Sequence, residues 1–457
     1  MNSSNPININ KLFFCLAICL LPFNGLPYFQ DLFRELSSEG AFYPLLILTL
    51  IWLFKSIKNG FFAVPDHATS YLLMIFFIWI IISSAMNVLN ILSVTFKGRS
   101  GIERSIFQIL LFAFVMSTAY ASYFIIRSGR ISLYDIRNYF KYSFVLIVFY
   151  SIAELAYLYT NNELASQILL LISEFIRDEN MPQLYGRVRS VSAEASWFAN
   201  YCSLLFPWLM SFIFTERKRF VGYIYVTYLL MLLILTWSRT AYLITIMQIL
   251  VYSLLIIRFG FKKEILILSK FLLILIGLFL IASITFVGLI DGYDNIMDVI
   301  ASVGSTENLS NVARIGSQIA AIKMGVDNPV FGVGFGQYGF YVNDYLPVWA
   351  YVSLEIQEWT SNAVGTKWPP VHGIYSRIFG ETGVIGLSLW IALWWSLFKA
   401  CFEKIHKQSK SNNTPDILGI ALLVSAIGVF LSGFNVDSFR MFSYWLTFAI
   451  CWSYIKK

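Results

Sequence analysis

Charge is what this sequence has least of. Only 13% of its 457 residues are Asp, Glu, Lys or Arg, against 58% hydrophobic, where a soluble domain is about 25% charged. A soluble fold of this length needs far more polar surface than that. Histidine is scarcer still, with three in all. The five cysteines, Cys15, Cys19, Cys202, Cys401 and Cys451, form no Cys-x-x-Cys pair and no Cys/His cluster. That argues against a disulfide framework and a zinc site. No repeat of fixed period occurs, so solenoids and propellers drop out. The apolar stretch after Lys11 lacks a following small-residue cleavage site and is expected to stay as a first span, not a signal peptide. The formal charge of +7 does not point to nucleic acid, because Lys and Arg in a membrane protein mark its cytoplasmic side.

Long apolar runs, rich in the 41 Phe, 26 Tyr and 13 Trp, are abundant instead. A spanning helix needs about 20 mostly apolar residues, and by that rule about twelve spans are expected. They fall near 12–29, 41–57, 71–92, 106–126, 142–158, 194–214, 221–237, 241–257, 265–290, 383–399, 417–433 and 441–455. The expected fold is an all-α polytopic membrane protein, with residues 1–457 forming a single integral membrane domain.

Charge sets the expected orientation. With both termini inside, inner segments hold about 19 of the 33 Lys and Arg and about six of the 26 acidic residues, the bias of the positive-inside rule. Two outer segments are long enough to carry function. In residues 160–193, Leu164, Ile168, Leu171, Ile172, Phe175 and Ile176 form an apolar face at helical spacing, which suggests a helix on the membrane–water interface. Residues 291–371 form the large outer loop between spans nine and ten. Within it, Asn311 is expected to cap a short amphipathic helix with the stripe Val312, Ile315, Ile319, Ile322 and Val326. Asp327-Asn328-Pro329 is expected to stop it.

Outer arginines run against the topological bias, so each invites a reason. Arg239, in Trp237-Ser238-Arg239-Thr240, sits between two apolar runs at the outer boundary. A charge there is costly. It fits a ligand for an anion such as a lipid phosphate, or a side chain snorkelling to the headgroups. Arg314 shares a helix face with Gln318, Ala321 and Gly325, of which the small Ala321 and Gly325 leave room for a bulky partner. An exposed helix charge is the plainer alternative. Arg187 and Arg189 flank Val188, and Glu194 opens the sixth span, where an acidic residue is favoured in any case. His372 follows Trp368-Pro369-Pro370-Val371 and leads to Tyr375, Arg377 and Glu381. At the rim of a membrane helix it can serve as a general base, or sit satisfied at the interface. His67 and His406, on the inner side, have structural readings.

Phe331-Gly332-Val333-Gly334-Phe335-Gly336-Gln337-Tyr338-Gly339 is not a dinucleotide fingerprint, because no strand–helix unit surrounds it. Its glycines suit a tight turn and close backbone approach. Asp291, Asp294 and Asp298 lack the spacing of a metal-ligand loop, and no metal is expected. Glu154, a carboxylate within a span, is a further functional candidate.

The order of these features resembles the O-antigen ligase and polymerase superfamily of bacterial inner membranes. Ser238-Arg239 lies between two spans. A long outer loop follows, with Asn311-Val312-Ala313-Arg314 and then Asn328-Pro329-Val330-Phe331-Gly332-Val333-Gly334. His372 then precedes Gly380-Glu381-Thr382-Gly383-Val384-Ile385-Gly386 and a span. The resemblance covers residues 185–400, and the first five spans fit by number only. Arg314 and Gly325 also match the Arg-x10-Gly pattern of Wzy-type O-antigen polymerases.

The resemblance implies a GT-C-like helical bundle with a large periplasmic loop. It implies glycosyl transfer from an undecaprenyl-diphosphate carrier without metal, nucleotide sugar or other cofactor. Arginines at the positions of Arg239 and Arg314, helped by Arg187 and Arg189, would hold the diphosphate. His372 would act near the acceptor, with Glu194 and Glu381 as further proton acceptors and Tyr375, Arg377 and Gln318 along the substrate. The sequence carries Gly373 where the family often has Asn. The expected partners are lipid-linked oligosaccharides as donor and acceptor and the surrounding membrane lipid, with a chain-length regulator among those to look for. The leading expectation is a polymerase in the inner membrane with its site toward the periplasm. An O-antigen ligase acting on lipid A–core is the near alternative, and a flippase or transporter the alternative from another class.

Overall fold

The fold comes from a computed structural model, which describes residues 9–62, 64–177, 186–289, 309–364 and 367–456. Asp291, Asp294 and Asp298 lie outside the described residues. Helix dominates, because a backbone in lipid must satisfy its own hydrogen bonds within the segment. In chain order the helices are α1 (Ile9–Cys19), α2 (Gln30–Phe33), α3 (Phe42–Asn59), α4 (Ala68–Met86), α5 (Val88–Ser93), α6 (Gly101–Ser128), α7 (Leu133–Thr160), α8 (Glu163–Ile176) and α9 (Ala195–Thr215). They continue as α10 (Arg219–Leu235), α11 (Arg239–Phe259), α12 (Lys262–Leu289), α13 (Leu309–Asp327), α14 (Tyr338–Tyr345), α15 (Leu354–Thr360), α16 (Ile374–Asn412), α17 (Ile417–Ser432) and α18 (Phe442–Ile455). A short antiparallel hairpin, β1 (Thr95–Phe96) with β2 (Arg99–Ser100), joins α5 to α6. Lys97 and Gly98, both at positive φ, make its two-residue turn.

Each of the twelve expected spans contains a helix. Among the described residues, α4, α6, α7, α9, α11 and α16 are long and apolar enough to cross a membrane, while α1, α10 and α17 are apolar but shorter. The chain is thus an all-α, multi-pass membrane protein. Two boundaries differ from expectation. The first span ends at Cys19, because Pro22, Gly25 and Pro27 break the helix. The tenth is entered early, by a helical stretch from Ile374 that breaks at Gly383, near the expected start. There Arg377 and Glu381 pair one turn apart, so these two charges do not stop the helix.

The ends that carry the basic loops are tied to one another. Arg137 near the start of α7 meets Glu216 after α9 at 2.8 Å. Phe259 at the end of α11 packs on Phe402 and His406 of α16. His67 caps α4, its Nδ1 accepting from the Thr69 amide. The opposite end bears a cap of α13 to α15 with its own small core, including Val312, Ala320, Met324, Val342 and Trp359. On α8, Leu164, Ile168, Leu171 and Phe175 stay exposed, while Leu169 and Ile176 are buried.

Helix α13 departs from its expected pattern. It already includes Leu309, so Asn311 lies inside it and does not cap it. Its end at Asp327, before Pro329, is as expected. Val312 is buried, but Ile315, Ile322 and Val326 are exposed, and the buried side is Ala313, Ser317, Ala320, Ala321 and Met324. Small residues win the inside because two neighbours press close. A Cβ on Gly325 would stand 2.6 Å from the Phe379 ring, and one on Gly380 2.6 Å from the Ala321 carbonyl oxygen. The eleven-residue step from Arg314 to Gly325 is about three helical turns, so both lie on the face toward α16.

The glycine-rich segment crosses α16 where that helix breaks. Gly383, at φ 71°, interrupts it. Val333 and Gly334 donate to the carbonyls of Gly380 and Glu381 at 3.0 Å, and Val384 donates to Pro329 at 2.8 Å. Helix α4 completes the joint: Trp79 donates to the Thr382 carbonyl, Ser83 to those of Phe331 and Glu381, and Asn87 to that of Gly332. A Cβ on Gly332 would collide with the Glu381 carbonyl carbon, and Gly332 itself has φ 63°. The Gly332→Ala variant is therefore expected to lose about 1–3 kcal/mol of stability from overpacking. Thermal unfolding of the detergent-solubilised chain would check this, with Gly60→Ala, at positive φ but in open space, as the milder control.

Candidate functional site

A cavity of about 630 Å³ opens beneath the cap. It gathers parts of the chain far apart in sequence. The turn before α3 supplies Glu35, the start of α6 Arg104, the start of α9 Glu194 and Trp197, and α13 Arg314. Helix α15 adds Glu355 and Glu358, the stretch before α16 His372, and the segment after α17 Asn435, Asp437 and Arg440.

His372 is held from its backbone. Its amide, with that of Val371, donates to the Asp437 carboxylate, at 3.2 Å for His372. Its carbonyl accepts from Gln318 at 3.1 Å. The residue stands at φ 61°, a region costly for a side chain other than glycine. Its ring lies against Trp359, centroids 5.3 Å apart. Its Nε2 is buried and has no hydrogen-bond partner among the described residues. Burial pushes the imidazole down to about 4, with Asp437 opposing and Arg314 adding to the effect. Gly373 leaves space that a larger residue would contest, since a Cβ there would stand 3.0 Å from the Gln318 side chain. Gln318 thus braces His372 beside Gly373.

The cations sort by partner. Arg104 meets Glu35 at 3.0 Å, Arg377 meets Glu381 at 3.1 Å and Arg440 meets Glu39 at 3.2 Å. Burial acts to raise the Glu35 carboxyl, but Arg104, Arg440 and Arg377 together outweigh it and hold it below its usual range. Arg314 is different. Its Nη1 donates to the neutral Asn435 amide at 2.8 Å, and among the described residues it has no carboxylate partner. An uncompensated guanidinium in a partly enclosed site is a ready ligand for an anion.

Five expected site residues therefore share the cavity: His372, Glu194, Glu381, Arg314 and Arg377. Their capacities differ. Glu194 is exposed and accepts only from Ser196 at 3.2 Å among the hydrogen bonds found. Glu381 is buried, with one oxygen on Arg377 and the other accepting from the Tyr338 amide at 3.3 Å. Arg377 spends its other nitrogens on the Asp437 carbonyl at 2.7 Å and the Gln108 side chain at 2.8 Å.

The other candidates lie outside the lining. Tyr375 donates to the Phe430 carbonyl and packs on Phe434, behind His372. Arg189 is buried, its Nη1 on the Ala193 carbonyl. Arg187 donates from Nε to the Thr236 carbonyl at 2.8 Å, and Val188 to that of Leu235 at 3.0 Å. These bonds join the arm before α9 to the turn that carries Arg239, which is half-buried at the start of α11. Burial first, and then the Arg314 charge, hold Arg187 below its usual value, so these two guanidiniums feel each other.

Glu154 sets the course of that arm. Its carboxylate accepts from the amides of Arg189 at 3.0 Å and Ser190 at 3.0 Å. Arg177 donates to the carbonyls of Ser190 and Ser192, both at 2.7 Å. A buried carboxylate hydrogen-bonded by backbone amides is a structural anchor.

Sequence reasoning missed Glu35, Arg104, Asn435, Asp437 and Arg440. Arg104 and Arg440 flank apolar runs on the expected outer side, the signal that picked out Arg239. Asp437 had no such signal, because its partners are backbone amides some 65 residues away in sequence.

Fold and cavity together define a multi-pass helical membrane protein with a polar cavity, lined by arginines, carboxylates and a histidine, at one end. Residues 224–391 match the family model described as O-antigen ligase, and this part of the chain is accordingly similar to the O-antigen ligase and polymerase superfamily. The matched stretch includes Arg239, Arg314, His372, Arg377 and Glu381. The chain matches no curated protein.

The two carboxylates respond differently to removal. Glu381→Ala strands the buried Arg377 and is expected to cost roughly 3–5 kcal/mol, the range for breaking a buried pair. Glu194→Ala, at an open carboxylate, is expected to unfold as the parent does. Unfolding midpoints of the purified variants would check the contrast.

Proposed function

We propose that the chain is an O-antigen or related surface-glycan polymerase. It would transfer a growing glycan from undecaprenyl diphosphate to a lipid-linked repeat unit. One observation carries this reading: Arg314, without a carboxylate partner among the described residues, lines the same cavity as His372, whose buried Nε2 likewise has no hydrogen-bond partner among them. Leaving-group charge and proton acceptance are the two needs of the transfer.

In this reading the acceptor hydroxyl oxygen bonds to the anomeric carbon as the bond from that carbon to the phosphate oxygen breaks. The electron pair leaves with the diphosphate, and its charge falls to Arg314, with Arg187 and Arg239 in support. A fixed guanidinium stabilises developing charge without reorganising. The hydroxyl proton passes to His372 Nε2, which is neutral at physiological pH and ready to take it. Glu194 is the second proton acceptor in line. Arg377 and Glu381 are positioning residues, and so are Gln318 and Tyr375. Arg189 supports the reading by fixing the arm that carries Arg187 and Glu194. Arginines take the charge-stabilising role that a divalent ion has in other transferases.

The donor's tail would lie against apolar helices and its sugars in the cavity, with the cavity toward the periplasm and the basic loops in the cytoplasm. The Arg-x10-Gly pair of Arg314 and Gly325 favours polymerase. The description of the matched family favours ligase, the second reading. Nothing in the match favours a flippase.

Deleting the gene and running the cell's lipopolysaccharide on a gel separates them. A core bearing one repeat unit is the polymerase outcome. A bare core, with polymer left on undecaprenyl diphosphate, is the ligase outcome. An unchanged ladder would overturn both for this glycan. In the complemented strain, Arg314→Ala is expected to cut transfer about 10²–10³-fold, as for the loss of one oxyanion donor, with the protein still in the membrane. Arg239→Ala should also shorten the ladder. Normal chain length in both would end the diphosphate role. With His372 as base, kcat/KM should hold as pH falls through about 6.5, the ordinary histidine range. It should drop only as pH falls through about 4, where the imidazole takes a proton and ceases to be a base.

A further inference from the structure

Helix α13 has three faces, and among the described residues protein covers two. Ala313, Ser317, Ala320 and Met324 face the cap core, and Gln318, Ala321 and Gly325 face α16 and the residues leading into it. The third face holds Ile315, Ile319, Ile322 and Val326, in steps of four, three and four. Ile322 is 45% exposed and Val326 63%. Large apolar residues at helical spacing on an uncovered face are a surface for something apolar.

Continuity identifies that something. Past the helix end the stripe goes on to Val330, also exposed. Val330 sits between two membrane-spanning helices. On one side Pro329 accepts from Val384 of α16. On the other, Phe331 stacks on Trp79 of α4, centroids 5.4 Å apart. Trp79 is seven residues before the end of α4, about 10 Å of helix. Val384 opens the exposed apolar face of α16, which continues through Ile391 and Trp395, while Ile78 and Ile82 are exposed on α4. The outer faces of spanning helices meet lipid, so the stripe runs unbroken into a lipid-facing surface. At its other end Trp349 packs near Gly316 and remains 41% exposed. Tryptophan in that position marks a membrane–water boundary.

We propose that α13 lies in the membrane boundary with Ile315, Ile319, Ile322 and Val326 against the acyl chains of the bilayer. The segment between spans nine and ten is then partly lipid-embedded and not a free loop. Arg314, on the same helix next to Ile315, is fixed at the height of lipid phosphates by this contact. Lys323 and Asp327 flank the stripe, and the lysine stem can reach headgroups. The proposal stands on the membrane fold alone and holds whichever transfer the protein performs.

The test places a nitroxide at Ile322→Cys or Val326→Cys in the full chain, reconstituted in phosphatidylcholine–phosphatidylglycerol vesicles. Both positions are exposed, so either variant alone suffices if the other fails to fold. The unsubstituted chain gives the background from its own cysteines. Collision with oxygen, which concentrates in lipid, is compared with collision with a water-soluble nickel chelate. Ile391→Cys on the spanning face and Ser411→Cys at the far end of α16 set the lipid and water limits. The expected result is an oxygen-to-nickel ratio at 322 and 326 close to that at 391 and several-fold above that at 411. A ratio like that at 411 would mean the stripe faces water and would overturn the proposal. Dipolar broadening at 322 and 326 that vanishes on dilution with unlabelled chain would place a second copy there, and would overturn it as well.

Discussion

Arg377 is the residue on which the site's geometry rests. Its guanidinium binds Glu381 on its own helix, Gln108 of α6 and the Asp437 carbonyl of the segment after α17. Beneath it lie the rings of Phe335 and Phe439, its carbon 5.7 and 5.5 Å from their centroids. Those rings close over Phe112 and Trp390 in the main core. A buried cation is tolerable only when its donors are used and its charge is matched, and Arg377 meets both conditions. It thereby fixes, in one joint, where α16 begins, where the glycine-rich segment crosses and where Asp437 stands. Asp437 in turn holds the amides of Val371 and His372. The strained backbone of His372 persists because its surroundings over-determine it.

Charge around the cavity follows one rule. Carboxylates offset Arg104, Arg377 and Arg440, and these pairs brace separate segments of chain. Arg314 is left over. A site with every arginine free would bind any anion and suffer strong self-repulsion. A site with every arginine paired would bind none. Among the described residues Arg314, with Arg187 near enough to be depressed by it, is the arginine of the lining without a carboxylate partner, and it shares the cavity with His372. Glu194 is close enough to raise the Arg187 value in part, so the open carboxylate also belongs to this neighbourhood.

Helices and their order were legible in the sequence because apolar runs of membrane length have few alternatives. Arg314, His372 and Glu194 were legible because polar residues at the rim of such runs are unusual. What escaped depends on long-range backbone contacts. Asn435, Asp437 and Arg440 sit in a short link between two apolar runs, and their role appears only when that link meets residues from 370 to 377. Glu381 looked like a proton acceptor from its place after His372, yet its oxygens belong to Arg377 and the Tyr338 amide. The inward face of α13 was not legible for a related reason. Periodicity finds the large apolar residues, but close packing against Phe379 and Ala350 selects the small ones, and a membrane removes the penalty for leaving the large ones outside.

That last point changes what a hydrophobic stripe means in this fold. In water, the face with the bulky residues is the inside. Beside lipid, tight helix contacts favour Gly, Ala and Ser, and bulk moves to the periphery. Helix α13 follows the second rule although it lies in what charge and length mark as an extramembrane segment. The same exchange puts Gly325 on the buried side three turns from Arg314. The Arg-x10-Gly spacing then has a mechanical content: the glycine lets α13 close on Phe379, and the approach carries the arginine to Asn435 at the cavity wall. Lengthening the helix by one residue between them would turn Arg314 by about 100°, away from the cavity, while leaving the composition of the helix almost unchanged.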